Sequence, residues 1–573
     1  MIGRIPIIDI SPSVYFGGEF VAVKAIPNEE ISIYATVIRE GHDPFGVEAL
    51  LRDHTGKEIQ RIAMKEVWPG TDRFEAVLVP GAIGDFTFSV EAFDHTPERK
   101  LLTESERFPI RADRERALVG AWYEFFPRSE GATTSSAGTF KTAAKRLPEI
   151  AAMGFDVLYL PPIHPIGIDF RKGPNNSLTA SEKDPGVPWA IGAATGGHDA
   201  VNPDLGTMKD FEDFVNIAKQ NNLEIALDLA LQTSPNHPWV TEHSEWFSRR
   251  ADGSIAYAEN PPKKYQDIYP LNFDNDYEGL LNEILRIIRL WVSKGVTLFR
   301  VDNPHTKPVH FWQDILAIIY KESPEVIFLA EAFTKPAMMH SLGKAGFHQS
   351  YTYFTWRTSK QELTAYGNEV ARETSAFFRP NFWVNTPDIL PTHLQSGNPA
   401  MFALRAVLAS TLSPSWGMYA GYELYEHRAF AEGGEEYLDS EKYQIKIRDW
   451  AGATKKGLTL APFITQLNQI RKTHPALARL RNLVFHSTSS DAIIAYSKKS
   501  GDDLMLVIVN LDPTYAQEAT VHWDMGALGI TEDSFTAVDL LDNTSFSWSA
   551  HTFIRLDPSR PSGKVAHVAY VKI

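Results

Sequence analysis

Residues 296–303 read VTLFRVDN, a short apolar segment that ends in a carboxylate and an amide. An amphipathic segment precedes it at residues 277–293, and another follows at residues 309–322. A short apolar run between two longer amphipathic runs is typical of a strand that lies between two helices in a parallel sheet. We therefore expect a repeating strand–helix architecture on both sides of residue 300.

The same alternation extends through residues 111–475, where we count about eight strand–helix pairs. The predicted strands are residues 119–122, 157–160, 224–228, 296–301, 326–330, 350–354, 382–385 and 415–419. The predicted helices include residues 140–153, 208–221, 277–293, 309–322 and 359–374. About eight repeats suit a (β/α)8 TIM barrel. A doubly wound sheet is the rival, but its first strand would more often be followed by a G-x-G-x-x-G loop, which the sequence lacks there.

The two ends of the chain have a different pattern. Residues 31–37, ISIYATV, and residues 86–92, FTFSVEA, alternate in polarity and are separated by turn residues. This pattern predicts a β-sandwich over residues 1–110 and a second one over residues 476–573. The connection at residues 231–275 is too long for an ordinary loop and predicts a subdomain inserted into the barrel. The expected fold class is multidomain, α/β plus all-β.

Composition excludes several classes of protein. The 573 residues include 43% hydrophobic and 22% charged side chains, and no apolar run approaches the ~18 residues of a membrane helix. A net charge of −15 argues against a nucleic-acid binder. The sequence has no cysteine, which excludes disulfides and thiolate metal sites and fits a reducing compartment. Residues 1–20 lack the features of a signal peptide, so we expect a cytoplasmic protein without a membrane partner.

Charged groups follow three of the predicted strands. Residues 299–303 read FRVDN, residues 328–331 read FLAE and residues 383–388 read WVNTPD. In a barrel the reactive residues collect at the C-terminal ends of the strands, and a pair of carboxyls there suits glycoside chemistry. Arg300 precedes Asp302 by two residues and so shares its face of the strand, where it can hold the carboxylate ionised. The alternative is that each acid only caps the following helix.

These three segments, together with IALD at residues 225–228, resemble the ordered sequence regions of the α-amylase superfamily of retaining glycosidases and transglycosidases. The resemblance implies that Asp302 is the nucleophile, Glu331 the general acid/base and Asp388 the acid that binds hydroxyls of the reacting sugar. It also implies that Arg300 is the partner of the nucleophile and that Asp228 is a supporting structural acid.

The departures from that superfamily narrow the resemblance. Gln232 and Thr233 stand where an Asn-His pair is usual, and Pro387 stands where a histidine usually precedes the third acid. The segments FRKGPNN at 170–176, NPPKKYQD at 260–267 and DNPHTKP at 302–308 are similar to the bacterial α-1,4-glucan:maltose-1-phosphate maltosyltransferases. That similarity implies transfer of maltosyl units from α-maltose 1-phosphate to an α-1,4-glucan, with release of phosphate. It also implies a homodimer that needs no metal or organic cofactor.

By the same resemblance, further residues contact the donor. Lys172, Gln232, Asp267 and Asn303 are expected to bind it, Lys263 and Tyr265 to lie near its phosphate, and Lys442 and Tyr443 to hold its second glucose. The residues also give an independent reason for a phosphorylated donor, because an acidic chain concentrates cations in two loops, at residues 171–172 and 263–264. A phosphate leaving group needs such cations and nearby amide or hydroxyl donors. The alternative is that these are ordinary solvated surface lysines.

Two other functions compete with this interpretation. One is an intracellular α-glucan hydrolase of the maltogenic amylase or neopullulanase type, in which the lysines are incidental. The other is a catalytically silent glycan-binding protein that uses the aromatic side chains, 12% of the sequence. The complete set of Asp302, Glu331 and Asp388 weighs against the binding protein, because a binder does not need all three.

Overall fold

The computed structural model describes residues 4–260, 263–559 and 564–572, apart from the side chains of residues 260 and 263. Its N-terminal region is built from short strands that form two main sheets, in the orders β1-β5-β9-β8 and β4-β12-β10-β6-β7. The strands are β1 (Ile7–Ser11), β2 (Val14–Phe16), β3 (Glu19–Val21), β4 (Val23–Ala25), β5 (Ile31–Val37), β6 (Phe45–Asp53), β7 (Glu58–Ala63), β8 (Lys65–Glu66), β9 (Arg73–Leu78), β10 (Gly84–Asp94), β11 (Thr103–Glu104) and β12 (Phe108–Ala112). Alternate residues such as Ile33, Leu51 and Phe88 form one shared core, as the period of two predicts.

The central region alternates strands with helices. Its strands are β13 (Gly120–Glu124), β14 (Val157–Leu160), β15 (Glu224–Leu229), β16 (Gln232–Thr233), β17 (Ala258–Asn260), β18 (Lys263–Tyr265), β19 (Tyr269–Pro270), β20 (Leu298–Val301), β21 (Ile327–Ala330), β22 (Gln349–Ser350), β23 (Phe382–Trp383) and β24 (Ser415–Tyr419). Eight of them form one parallel sheet in the order β22-β21-β20-β15-β14-β13-β24-β23. Ser350 bridges to Pro380, and its carbonyl accepts a hydrogen bond from Asn381 N at 2.9 Å. These contacts join the two ends of the sheet into a barrel.

The helices of the central region pack around this barrel. They are α1 (Phe140–Ala143), α2 (Leu147–Ala152), α3 (Met208–Gln220), α4 (Trp239–Glu242), α5 (Tyr277–Ser293), α6 (Val309–Glu322), α7 (Pro336–Ala345), α8 (Lys360–Asn368), α9 (Pro399–Leu412), α10 (Trp450–Lys456) and α11 (Ala461–Thr473). The start of α3 shows the local cause, since the Thr207 side chain accepts a hydrogen bond from Asp210 N and the Asp210 carboxylate bonds back to Thr207 N. This reciprocal capping box satisfies backbone donors that a helix leaves unpaired. None of the helices within the described ranges is long and apolar enough to cross a membrane.

The barrel interior is filled by large aromatic side chains. Trp122, Tyr159, Tyr351 and Trp383 belong to one buried cluster inside the ring of strands. Gly417 on β24 makes room for this cluster, because a Cβ atom there would lie 2.5 Å from the Trp383 ring. The interior is therefore a packed core, and a ligand can enter only at an open end.

The C-terminal region is an antiparallel sheet in the order β30-β29-β32-β27-β26-β25-β28-β31. Its elements are β25 (Leu483–Thr488), β26 (Ile493–Ser500), β27 (Asp503–Asn510), β28 (Gln517–His522), α12 (Met525–Leu528), β29 (Ser534–Asp539), β30 (Thr544–Ser549), β31 (His551–Leu556) and β32 (Ala566–Lys572). Ion pairs join the N-terminal region to the barrel and the C-terminal region to the N-terminal region. Arg379 Nη1 lies 2.7 Å from Asp113 Oδ2, and Arg481 pairs with Glu29.

The predicted fold class is confirmed, and several predicted elements coincide with the observed ones, among them β14, β24, α5 and α6. Two elements differ for local reasons. The predicted helix over 140–153 is divided into α1 and α2 by a 3₁₀ turn, because Pro148 suits only the first turn of a helix. The predicted strand over 350–354 stops at Ser350, because the Thr352 side chain accepts a hydrogen bond from Phe354 N and starts a 3₁₀ turn.

Candidate active site

The C-terminal ends of β20 and β21 bring Asp302 and Glu331 together around one guanidinium. Arg300 Nη1 lies 2.8 Å from Asp302 Oδ1, and Arg300 Nη2 lies 2.6 Å from Glu331 Oε1. The backbone ladder continues one residue beyond each strand, since Asp302 N donates to Leu229 O at 3.1 Å and Glu331 N donates to Val301 O at 3.0 Å. The parallel register therefore places the two acids on neighbouring strand ends before any side-chain contact is made.

Asp228, at the end of β15, is the third carboxylate on Arg300. Its Oδ2 lies 2.8 Å from Arg300 Nη1 and also accepts hydrogen bonds from Tyr159 Oη at 2.5 Å and Trp189 Nε1 at 3.2 Å. Burial raises the pKa of Asp228 to about 7, against the opposing effect of Arg300. These three donors all bind Oδ2, which is compatible with the predicted role of Asp228 as a supporting structural acid. Tyr159 and Trp189 were not predicted, because nothing local in the sequence links them to Asp228.

Glu331 is placed where it can keep a proton. Burial raises its pKa well above the ordinary value, Arg300 opposes this, and the negative charges of Asp302 and Asp388 raise it further. Two carboxyl groups of different environment are the arrangement that lets one act as an acid while the other remains ionised.

Asn303 connects the two acids from a left-handed backbone conformation, with φ 41°. Its amide N lies 3.3 Å from Glu331 Oε2, and its side-chain Nδ2 lies 3.4 Å from Asp302 Oδ2. Lys307 Nζ donates to the carbonyls of Asp302 and Asn303, both at 3.3 Å. Lys307 was not among the predicted site residues, although a cation five residues after a strand-end acid was a usable signal.

Asp388 lies in the loop that follows β23, with its side chain 42% exposed. It forms an ion pair with the buried Lys442. Burial alone would lower the pKa of Lys442, but the Asp388 carboxylate outweighs it and the pKa is raised. Lys442 Nζ also lies 5.3 Å from the centre of the Tyr443 ring. Lys442, Tyr443 and Asp388 thus form one polar and aromatic surface at the barrel mouth.

The segment that carries Lys442 is anchored by arginines outside the reaction centre. Arg128 Nη2 donates to Glu441 O at 2.8 Å and to Lys442 O at 3.0 Å. Arg448 Nη2 lies 3.0 Å from Glu441 Oε2. Because these contacts hold the backbone on both sides, the Lys442 side chain has a defined place next to Asp388.

Lys172 is buried in spite of its position in a glycine- and asparagine-rich loop. Lys172 is only 2% exposed, and its Nζ donates to Gln266 Oε1 at 2.6 Å. The neighbouring Asp267 is also buried, and its Oδ1 has no hydrogen-bond partner among the described residues. Burial raises the pKa of Asp267 and lowers that of Lys172. A buried carboxyl oxygen without a partner is suited to accept a hydrogen bond from a ligand hydroxyl.

The Lys172 loop and the Lys442 segment are joined directly. Asn175 Nδ2 lies 3.0 Å from Asp439 Oδ1, and Asp439 N donates to Asn175 Oδ1 at 2.7 Å. Two loops that the sequence separates by more than 250 positions therefore meet at one side of the barrel mouth.

Three predicted binding residues remain, namely Gln232, Tyr265 and Lys263. Gln232 Nε2 lies 3.4 Å from Trp189 O, and Tyr265 is close enough to Tyr443 to contribute to its raised pKa, after the larger effect of burial. The side chain of Lys263 lies outside the described residues, although its backbone belongs to β18. Lys264 is 59% exposed and lies 3.9 Å from Glu259 Oε1. Its exposure fits the solvated surface alternative.

Arg171 does not point its charge at the cleft. Its Nε donates to Gly167 O at 2.9 Å, and its Nη1 donates to Asp184 O at 3.0 Å. The guanidinium therefore closes the loop on itself through carbonyl groups. Arg171 therefore does not contribute to the cationic cluster that the sequence predicted at residues 171–172.

Two histidines, His237 and His198, form a neutral hydrogen-bonded chain. His237 Nδ1 accepts from Trp239 N at 3.0 Å, which leaves His237 Nε2–H to donate to His198 Nδ1 at 3.1 Å. His198 Nε2–H then donates to Ala230 O at 2.8 Å. Burial lowers the pKa of His198 to about 4 and that of His237 to about 2. This chain supports the loop after β15 and is not arranged to exchange protons with a substrate.

Comparison with curated proteins gives close relatives over nearly the whole chain. An α-1,4-glucan:maltose-1-phosphate maltosyltransferase 2 of Streptomyces coelicolor is 50% identical, over 99% of this chain and 96% of the relative. An α-1,4-glucan:maltose-1-phosphate maltosyltransferase of Mycobacterium tuberculosis is 56% identical over 82% of this chain and 68% of the relative. Family models described as "Alpha-1,4-glucan:maltose-1-phosphate maltosyltransferase, domain N/S" and "GLGE, C-terminal" match residues 3–96 and 485–571.

Comparison with solved structures agrees on the fold. The maltogenic α-amylase AmyB from Thermotoga neapolitana superposes with a TM-score of 0.60 at 17% identity, over 80% of this chain and 99% of that chain. An α-amylase from Lactobacillus plantarum gives the same TM-score of 0.60 at 18% identity. At this level of identity the likeness concerns the fold alone.

The role of the shared guanidinium leads to a pH-dependent prediction. Arg300→Met leaves Asp228, Asp302 and Glu331 buried without their cation, so the folded state retains protons that the unfolded chain releases near pH 4. When the pKa of a carboxyl is higher in the folded state than in the unfolded state, the folded protein loses stability as the pH rises between those two pKa values. We expect the variant to be destabilised more at pH 8 than at pH 5, by about 3–5 kcal/mol at the higher pH, in thermal unfolding followed by circular dichroism.

A matched control is Arg555→Met, which removes an exposed arginine that lies 2.6 Å from Glu518 Oε1. Exposed ion pairs contribute little to stability, so its melting temperature is expected to stay close to that of the wild type at both pH values. An equal deficit of Arg300→Met at pH 5 and pH 8 would contradict the role of Arg300 as the counter-charge.

Proposed function

Because the chain belongs to the family of α-1,4-glucan:maltose-1-phosphate maltosyltransferases, we propose that it transfers a maltosyl unit from α-maltose 1-phosphate to an α-1,4-glucan. The acceptor is the 4-hydroxyl at the non-reducing end, and inorganic phosphate is the second product. The observation that carries the proposal is the guanidinium of Arg300, which holds Asp302 and Glu331 side by side at 2.8 Å and 2.6 Å.

In the first step Asp302 attacks the anomeric carbon of the donor. Arg300 and Asn303 hold the two carboxylate oxygens, so the side chain has one orientation for attack. A bond forms between Asp302 and the anomeric carbon, the bond to the phosphate oxygen breaks, and Glu331 donates its proton to that departing oxygen and becomes a carboxylate. The result is a β-linked maltosyl-enzyme and inorganic phosphate. Two inversions of the same carbon then give overall retention.

In the second step Glu331 acts as a base. Its carboxylate takes the proton of the acceptor hydroxyl as the oxygen attacks the anomeric carbon, and the Asp302 carboxylate is released. Phosphate is a better leaving group than a sugar alkoxide, so proton transfer through Glu331 matters more in this step than in the first. The raised pKa of Glu331 suits a group that alternates between the two roles.

The other site residues bind the donor in this proposal. Asp388 and Lys442, joined as an ion pair, and the neighbouring Tyr443 contact sugar hydroxyls and a sugar face. Lys172 and Asp267 bind from two adjoining loops, where the unpartnered Asp267 oxygen favours a hydroxyl contact. Gln232 and Asn303 complete this set. Lys263 and Tyr265 are proposed to lie near the phosphate, in line with the sequence similarity.

Two broader properties belong to the same proposal. A homodimer follows from the family resemblance, and size-exclusion chromatography with light scattering tests it. A cytoplasmic location is supported by the absence of cysteine from the 573 residues. No metal or organic cofactor is needed for the two displacement steps.

A single assay distinguishes the transferase from the rival hydrolase. The purified protein is incubated with α-maltose 1-phosphate and maltohexaose, and phosphate and chain length are followed together. We expect one phosphate for each extension by two glucose units, and no change in chain length when the donor is omitted. Release of glucose or maltose from maltohexaose alone would favour the hydrolase, and binding without turnover would favour the silent binding protein.

The two catalytic carboxyls are distinguished by their variants. Asp302→Ala is expected to lower kcat by about 10⁴-fold or more, since removal of a nucleophile disables both steps. Glu331→Ala is expected to slow the second step by about 10²–10⁴-fold and so to accumulate the maltosyl-enzyme. Mass spectrometry after donor exposure should show one added maltosyl unit on Glu331→Ala and none on the Asp302→Ala control. An unmodified Glu331→Ala protein would contradict the assignment.

Buried and exposed lysines give a matched pair for donor binding. Lys172→Met removes a charge-assisted hydrogen-bond donor, worth about 1.5–3 kcal/mol, and is expected to raise KM for the donor at least about tenfold with a smaller effect on kcat. Lys264→Met changes an exposed lysine two residues from Gln266, the partner of Lys172, and is expected to leave kcat and KM near the wild type. Equal effects of the two substitutions on KM would place Lys172 outside the donor site.

A further inference from the structure

Glu124 is a buried acid inside the barrel that the proposed reaction does not use. It ends β13, where Trp122 belongs to the aromatic cluster of the barrel interior. Residues two apart on a strand face the same side, so Glu124 also points inward, one layer closer to the C-terminal end. The residue is 1% exposed, and its Oε2 has no hydrogen-bond partner among the described residues.

Glu124 is connected to Arg300 through shared neighbours. Glu124 is paired with Tyr159 in the register of β13 and β14, and the Arg300 guanidinium lies 5.6 Å from the centre of the Tyr159 ring and 5.9 Å from the centre of the Tyr351 ring. Among the surrounding charges Arg300 has the largest effect on the pKa of Glu124. Glu124 therefore lies inside the barrel close to the shared guanidinium.

Arg300 itself has an unused donor. Its Nη atoms contact the three carboxylates, but its Nε–H has no hydrogen-bond partner within the described residues. Asp228 Oδ1 and Trp383 Nε1 are also buried, and neither has a hydrogen-bond partner among the described residues. These atoms belong to side chains that project from the inner faces of β13, β15, β20 and β23. Buried polar atoms without protein partners are the usual ligands of internal water, which binds two to four of them.

The charges of this region imply that Glu124 is neutral. Glu124, Asp228, Asp302, Glu331 and Asp388 are opposed by three cations, Arg300, Lys307 and Lys442. Five carboxyls share three cations, so an enclosed acid without an ion-pair or hydrogen-bond partner favours its neutral form. Asp228 and Glu331 each pair with Arg300, whereas Glu124 is 1% exposed and its Oε2 has no partner among the described residues. Burial raises the pKa of Glu124 well above its ordinary value, with Arg300 opposing.

We propose that Glu124 is a positioning residue for the transfer, a carboxylic acid that keeps its proton and, together with the Nε–H of Arg300, binds one ordered water molecule on the barrel axis. The neutral carboxyl donates its O–H to the water, and the water accepts the Arg300 Nε–H. This fixes the guanidinium from below while its Nη atoms hold Asp302 and Glu331. An ionised Glu124 would instead attract the guanidinium away from the two catalytic acids.

The groups that face Glu124 come from all sides of the barrel. They are Tyr159 on β14, Asp228 on β15, Arg300 on β20, Glu331 after β21, Tyr351 after β22, Asp388 after β23, and Tyr437 from the loop beyond β24. The pH dependence of the reaction is therefore assigned to Glu331, whose charge state Glu124 leaves undisturbed as long as it remains protonated.

The test compares two neutral replacements. Glu124→Gln keeps a hydrogen-bond donor and acceptor and is expected to retain kcat/KM for the donor within about threefold, with the basic limb of its pH profile unmoved. Glu124→Leu has a similar volume but cannot bind the water, and is expected to lower kcat/KM about tenfold or more with little change in KM. A basic limb that moves to lower pH in Glu124→Gln would show that the wild-type residue is ionised and would overturn the proposal.

Controls separate positioning from folding. Glu130→Leu makes the same change at a buried acid off the axis, whose pKa burial raises to about 7, and is expected to leave the pH profile unchanged. Wild-type kinetics in Glu124→Leu would overturn the proposal. If Glu124→Leu does not fold, Glu124→Met replaces it, and a crystal structure of the wild type at high resolution tests the water directly. Absence of water density between Glu124 Oε2 and Arg300 Nε would overturn the binding site.

The kinetic arm rests on the proposed maltosyl transfer, and the crystallographic arm does not. If the wild type transfers no maltosyl unit, the proposed function fails, while water density beside Glu124 still supports the axial site. If the wild type transfers maltose and the Glu124 variants behave alike, only the role of Glu124 is rejected.

Discussion

One buried guanidinium determines the electrostatics of this protein. Arg300 is shared by Asp228, Asp302 and Glu331, and each of these carboxyls is buried. A guanidinium suits this place because it does not lose its proton at physiological pH and presents several donors in a fixed plane. Charges buried in this way are costly unless they are paired, so the cluster is best understood as a device for placing reactive acids and only secondarily as a source of stability.

The loops around the mouth are held by contacts that spare the catalytic groups. Arg128 and Arg448 fix the segment that carries Lys442, and the Asn175–Asp439 pair joins this segment to the Lys172 loop. Most cations of this region are occupied by carbonyls or carboxylates of the protein itself. Lys172 differs, because it is buried and its hydrogen bond among the described residues goes to the neutral side-chain amide of Gln266. An acidic chain therefore offers positive charge to an anionic donor at a few defined points and not over its surface.

The two acids at the reaction centre are separated by their surroundings. Glu331 is the one whose proton affinity burial and neighbouring carboxylates increase, whereas Asp302 receives the Arg300 guanidinium and the Asn303 amide. This division suits a double displacement, in which one group must attack while the other transfers a proton. One fold can serve many chemistries, so we expect the distinction between hydrolysis and transfer to lie in the loops and their binding groups.

Periodicity and local spacing were sufficient to predict the barrel, most strand positions and the contact between Arg300 and Asp302, because these depend on residues close together along the chain. Similarity of motifs added the roles proposed for the three acids and the proposed donor-binding residues. Only the tertiary structure decided that Arg171 serves its own loop, that Lys172 is buried beside Asp267, and that Tyr159 and Trp189 support Asp228. Closure of the barrel brings these distant residues together, and no local pattern in the sequence records which side chains will then meet.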